Sequence, residues 1–112
     1  MEVAGDKDDA ELLIVGFGGT YGHLYSAMEE LRAKGNKVAL AHFGFINPLP
    51  ANAAEVLKKY PKAVVAEQNL GQFAAYLRTQ VDGFVPYQFN QVKGQPFVVA
   101  ELVNAFEEIL KK

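Results

Sequence analysis

The sequence predicts an α/β domain in three layers, with helices on both faces of a mostly parallel sheet of about five strands. Two observations carry this reading. Short apolar, β-rich runs alternate with stretches whose apolar residues recur at helical spacing, the pattern of successive strand–helix units. The chain has 112 residues, half of them hydrophobic and 21% charged, which suits one domain with a real core. Three or more such units in so short a chain imply right-handed crossovers and a sheet covered on both sides.

The elements follow in order. Met1 to Glu11, "MEVAGDKDDAE", reads as an acidic, solvated lead-in and the remnant of a linker from a longer polypeptide; residues 12–112 read as the single domain. Leu12 to Phe17 is a continuous apolar run, as in a strand buried on both faces. From Gly22 to Lys34, Leu24, Met28 and Leu31 recur on one helical face and Glu29, Glu30, Arg32 and Lys34 take the other. Gly35 stands where a helix end wants a left-handed residue.

Lys37 to Phe43 is a second strand, and "INPLP" breaks the chain. Ala51 to Tyr60 reads as a helix stopped by Pro61, and "KAVVAEQ" as a third strand. Asn69 is placed to cap a helix carrying Phe73, Tyr76 and Leu77. "FVPYQF" is an edge strand, because Pro86 removes a ladder hydrogen bond. The last helix has Pro96 near its first turn, with Val99, Leu102, Phe106 and Ile109 along one face.

Composition excludes several classes of function. The formal charge is −2, with no basic footprint for nucleic acid. No apolar run approaches the roughly 18 residues of a membrane span, and the acidic N-terminus is unlike a signal peptide. With no cysteine, the chain cannot supply thiolate ligands to zinc or iron–sulfur clusters. The same absence fits a reducing cytoplasm.

The run "GFGGTYGH" after the first strand poses the question of a cofactor loop. Gly16 and Gly18 fit a dinucleotide fingerprint, but Tyr21 holds the third glycine position and no acid ends the second strand. A phosphate-binding P-loop pattern is absent. Thr20 as helix cap and the amides of Gly18 to Gly22 leave two readings, a close strand-to-helix turn or a small-anion site.

The carboxyl edge of a parallel sheet is where ligands favour binding. Thr20 and His23 follow the first strand, His42 ends the second, and Glu67, Asn69 and Gln72 follow the third, which gathers them there. His23, His42 and Glu67 have the composition of a facial metal triad, but each has an ordinary surface, strand-end or capping role open to it. No metal site and no catalytic residue are assigned. In "FGFINPLP", Phe43, Phe45, Ile46 and Leu49 are a heavy apolar load for a loop, which either folds under or meets another protein surface. "KGQPF" reads as a turn into a helix with Phe97 in the core, or else Lys93 and Gln95 face a partner domain or an anionic ligand.

Taken in order, "LLIVGFGGTYG", "ALAHFGFINPLP", "VVAEQNLGQ" and "NQVKGQPF" resemble the C-terminal domain of the alpha subunit of 2-oxoacid:ferredoxin oxidoreductases, in particular the 2-oxoglutarate type (2-oxoglutarate synthase). The resemblance runs from about Val3 to the end, and the same plan is similar to the C-terminal domain of transketolases. It implies a thiamine-diphosphate parent enzyme that oxidatively decarboxylates a 2-oxoacid with coenzyme A and reduces ferredoxin through iron–sulfur clusters. It also implies that thiamine diphosphate, Mg2+ and the clusters are held by other domains and subunits. The resemblance then implies that this chain binds no cofactor, is inactive alone, and belongs to a hetero-oligomer of alpha and beta subunits. The motif positions carried over are Gly18, Gly19, Thr20, Asn47, Pro48, Glu67, Asn69, Gly71, Gln72, Gly94 and Pro96, which shape strand-end loops and dock against neighbouring domains. The alternative of a different class is a free-standing module that binds a small anionic ligand at the carboxyl edge.

Overall fold

The computed structural model describes residues 3–43, 51–68, 71–91 and 96–112. Its elements are β1 (Val3–Gly5), β2 (Leu12–Phe17), α1 (Tyr21–Ala33), β3 (Val38–Phe43), α2 (Ala53–Lys59), β4 (Ala63–Glu67), α3 (Gln72–Gln80), β5 (Tyr87–Asn90) and α4 (Val99–Leu110). The strands form one sheet in the order β1-β3-β2-β4-β5. The pairs β2–β3, β2–β4 and β4–β5 are parallel, and β1 runs antiparallel to β3. The expected α/β architecture is therefore observed, with a sheet that is mixed and mostly parallel.

The apolar strands read as covered on both faces because they are. Along β2, Leu13 and Val15 belong to one core with Val56, Leu57, Phe73 and Leu77 of α2 and α3. Leu12 and Ile14 point the other way, into a second core with Leu24, Met28, Leu102 and Phe106 of α1 and α4. Alternation along a strand sends neighbours to opposite faces, so a continuous apolar run serves both cores. Val99 packs partly buried beside its helix's core residues, and Gly35 closes α1 with φ 94° as expected. Pro86 lies immediately before edge strand β5.

Three expectations need correction. The stretch read as a solvated lead-in contributes β1, with Val3 opposite Ala41 and Gly5 opposite Ala39, and it buries Ala10. Its acids act as surface anchors: Asp6 pairs with Arg32 at 3.0 Å, Asp9 with Lys37 at 2.6 Å and Asp8 with Lys59 at 3.9 Å. The N-cap position of α3 is Gly71 rather than Asn69, which lies outside the described residues. Pro96 precedes α4 by three residues, because Val98 at its N-cap is still extended (φ −110°, ψ 121°).

Tyr60 links this amino-terminal stretch to α2. Its hydroxyl donates to the Lys7 carbonyl at 2.7 Å, and burial, with a smaller push from Asp8, raises its pKa above the ordinary 10.0. The unfolded chain ionises this group first as pH rises. Its contribution to stability is thus whole below about pH 10 and lost as pH climbs through the folded value. Urea midpoints measured across that range are expected to fall less steeply in Tyr60→Phe than in the parent; parallel curves would refute the assignment.

Candidate functional site

The chain reverses its winding at β2. From β2 it passes through α1 on one face to β3, then through α2 on the other face to β4 and on into α3. The loops leaving the carboxyl ends of β2 and β4 therefore part to opposite faces, which in open α/β sheets opens a ligand crevice. Beside that crevice three aromatic rings pack together. The Phe17 ring lies 5.2 Å and the Phe43 ring 5.6 Å from Phe73, which is buried.

Glu67 ends β4 and is only 4% exposed. Its Oε1 accepts the backbone N–H of Phe73 and its Oε2 that of Ala74, both at 2.9 Å. A carboxylate thus neutralises two of the orphan donors and the positive dipole end of α3 from a neighbouring strand, a long-range cap. With both oxygens engaged, Glu67 has a structural post. Among the described residues, no group of three His, Asp or Glu side chains is placed to hold a metal.

The glycine loop has one close-approach glycine. A Cβ at Gly16 would collide with Leu24 Cδ1 and crowd Thr20 Oγ1 and His42 Cδ2, so Gly16 lets α1 sit tightly on β2. Gly18 adopts φ 75° and donates its N–H to the Phe43 carbonyl at 3.4 Å. Thr20 stands at the N-cap of α1, as expected, but makes no side-chain cap bond. Its Oγ1 instead donates to the Phe17 carbonyl at 3.3 Å, because its own backbone (φ −93°, ψ −1°) is already helical.

Gly19 and Gly22 differ from Gly16 and Gly18. Neither has a positive φ, and a Cβ on either would meet nothing within 4 Å. Their lack of a side chain has no explanation in the packing of the described residues. Gly22→Ala is accordingly expected to stabilise the chain by roughly 0.5 kcal/mol through helix propensity and unfolded-state entropy. A urea midpoint that falls instead would reveal a steric role for Gly22 inside the domain.

His42, near the end of β3, has its Nε2 buried with no hydrogen-bond partner among the described residues. The Tyr21 ring stands edge-on to its imidazole at 5.3 Å, and Tyr21 in turn contacts Tyr25 at 5.6 Å. A groove of about 480 Å³ runs between Val3, Ala4, Tyr21, Leu40 and His42. His23 sits apart on the exposed side of α1, its ring 6.5 Å from Phe97. Gln72 opens α3 and is exposed; Asn47, Pro48, Asn69, Lys93 and Gln95 lie outside the described residues, as does most of "FGFINPLP". The Tyr21–Tyr25–His42 grouping went unnoticed in the sequence, where only the i,i+4 spacing of the two tyrosines hinted at a shared stripe.

At the opposite end of the sheet a groove of about 640 Å³ lies over Pro61, Phe84, Pro86 and Tyr87. Beside it, Lys62 Nζ donates to the carbonyls of Ile109, Leu110 and Lys112 at 3.1, 3.0 and 2.6 Å. This is a cation bound to the carbonyl end of α4, which is a structural arrangement.

The family model for the pyruvate:ferredoxin oxidoreductase core domain II matches residues 10–102. The 2-oxoglutarate oxidoreductase subunit KorA of Mycobacterium tuberculosis is 45% identical over 103 residues, covering 91% of this chain and 16% of its own length. The alpha subunit of 2-oxoacid:ferredoxin oxidoreductase 2 of Aeropyrum pernix is 30% identical over 109 residues, covering 96% of this chain and 17% of its own. A solved 2-oxoglutarate:ferredoxin oxidoreductase from Magnetococcus marinus, with 2-oxoglutarate, coenzyme A and succinyl-CoA bound, superposes with a TM-score of 0.89 at 29% identity. The match covers 97% of this chain and 19% of that one. The chain thus spans about a sixth of the length of the curated relatives. By the family match over most of its length, this chain is a member of the pyruvate:ferredoxin oxidoreductase core domain II family.

Proposed function

We propose that the chain is an interface-forming, non-catalytic domain in the alpha subunit of a cytoplasmic 2-oxoacid:ferredoxin oxidoreductase, with 2-oxoglutarate as the oxoacid. The observation that carries this is the match to KorA, which takes in nearly the whole of this chain but only 16% of the relative. The carboxylate of Glu67, engaged by two backbone amides of α3, supports it, since this acid serves the fold.

In this reading the parent oxidises a 2-oxoacid to carbon dioxide and an acyl-CoA while ferredoxin takes the electrons. Thiamine diphosphate with Mg2+ and an iron–sulfur cluster supply the decarboxylation and electron-transfer chemistry, held by other domains of the alpha subunit and by the beta subunit. The residues of this chain do not fit those groups. It has no cysteine, and both oxygens of the buried carboxylate at the carboxyl edge already accept backbone donors.

The test is turnover. The pure chain, supplied with 2-oxoglutarate, coenzyme A, thiamine diphosphate, Mg2+ and a viologen acceptor, is expected to give no reduction above the blank. The assembled alpha–beta enzyme carrying the domain is expected to reduce the dye and to prefer 2-oxoglutarate to pyruvate in kcat/KM. Turnover by the chain alone would overturn the non-catalytic assignment, and a preference for pyruvate would overturn the substrate.

A further inference from the structure

Resting on that reading, we propose that the face formed by Tyr21, Gly22, Tyr25 and His42 is where the domain docks against the remainder of its own alpha subunit. The partner is an uncharged, closely fitting protein surface that brings a hydrogen-bonding group to His42 Nε2.

Charge is the first observation. From Leu12 to Met28 the chain carries no Asp, Glu, Lys or Arg, although 21% of its residues are charged. The inner part of that stretch is core, but Tyr21 is 46% and Tyr25 39% exposed. Exposed aromatics without charged neighbours in sequence are the composition of an interface centre, where Tyr is enriched and Lys and Glu are depleted. The far half of the same helix returns to solvent character with Glu29, Glu30, Arg32 and Lys34.

Backbone exposure is the second. Gly22 and Tyr25 are surface neighbours one helical turn apart, and neither φ nor packing among the described residues accounts for the glycine. A bare backbone at such a position allows another surface to approach closely. The third observation is His42, whose Nε2 is buried without a partner at a groove shared with Tyr21. A buried polar atom left unpaired is costly, and docking that shifts the groove's side chains would let a partner group satisfy it.

The occupant follows from chain length. The domain spans 16% and 17% of its two curated relatives, so more than four-fifths of such a subunit lies outside it. That remainder is tethered to the domain, which gives it an effective concentration no separate partner matches.

The absence of cysteine makes the test clean within the domain. Gly22→Cys, Tyr25→Cys, Glu30→Cys and Val85→Cys are each placed in the 112-residue chain and in the full alpha subunit assembled with its beta subunit. Alkylation by a maleimide is followed peptide by peptide. Labelling at positions 22 and 25 is expected to slow by on the order of tenfold or more on assembly, with position 30 unchanged. Protection of position 85 (78% exposed in the parent chain) without protection of 22 and 25 would overturn this docking face alone, since the domain would then dock by its opposite end. Protection at none of the four would overturn both the face and the interface-forming role. Protection of 22 and 25 in the isolated chain, with sedimentation that depends on concentration, would make the occupant a second copy and overturn the one proposed. Should the thiol variants fail to fold, amide exchange of the unaltered protein over residues 21–26, free against assembled, decides the same question.

Discussion

Glu67→Ala is expected to lower the stability of the chain by about 3 kcal/mol, since it removes two hydrogen bonds to a charged acceptor and strands two buried N–H donors. Both bonds are 2.9 Å long and end on successive amides, Phe73 and Ala74, at the start of α3. The loss should appear as a lower urea midpoint, with amide exchange accelerated first in Gln72–Gln80. Glu67→Gln keeps one acceptor oxygen and should fall between parent and alanine. The sign matters for function as well as for stability. A carboxylate held ready for catalysis or for a metal is commonly a strained feature whose removal is neutral or stabilising. A Glu67→Ala midpoint at or above the parent value would therefore return Glu67 to the list of functional candidates.

Phe106→Ala is expected to cost about 3–5 kcal/mol, the range for emptying a buried aromatic site. Marginal stability of about 5–15 kcal/mol makes this a large fraction of the whole. Phe106 is fully buried in the core shared by α1, α4 and the sheet, and its ring meets Phe89 of the edge strand at 6.3 Å. Its loss would loosen β5 as well as α4, because Phe89 of that strand packs on Phe106 and on Phe97. The contrast is Glu108→Ala two residues on, which breaks only an exposed pair with Lys111 at 3.7 Å and should change the midpoint little. Equal effects in the two variants would mean that α4 is not packed as described.

What was legible in the sequence was whatever local pattern encodes. The apolar runs at β2, β3 and β4 and the helical stripe of Leu24, Met28 and Leu31 need only their own neighbours to be read. They imply a covered sheet before any pairing is known. Strand β1 was missed because Val3–Gly5 is too short to show a period and exists only through its pairing with Ala39–Ala41. Its acidic surroundings resemble a solvated tail when the cations they meet, Arg32, Lys37 and Lys59, are far along the chain.

The candidate site divides the same way. Thr20 and Asn69 were the natural caps by residue type, since a short polar side chain before a helix bonds its first amides locally. In the fold the amides of Phe73 and Ala74 go to Glu67, which reaches them from the end of β4, and Thr20 turns its hydroxyl back to Phe17; Asn69 lies outside the described residues. His42 gives no sign in the sequence of a buried, unpaired Nε2.

The sequence by itself determined the class of fold, the lack of thiolate ligands and the unusual run without charge around "GGTYGH", because each of these is a property of composition and local order. Only the tertiary structure decided that the rings of Phe17 and Phe43 pack on Phe73, that Glu67 is spent on a helix end, and that Tyr21 and His42 share one face. Those outcomes depend on which distant backbone amides and rings arrive beside a given side chain, and that is set by the packing of the whole sheet and its two helical layers.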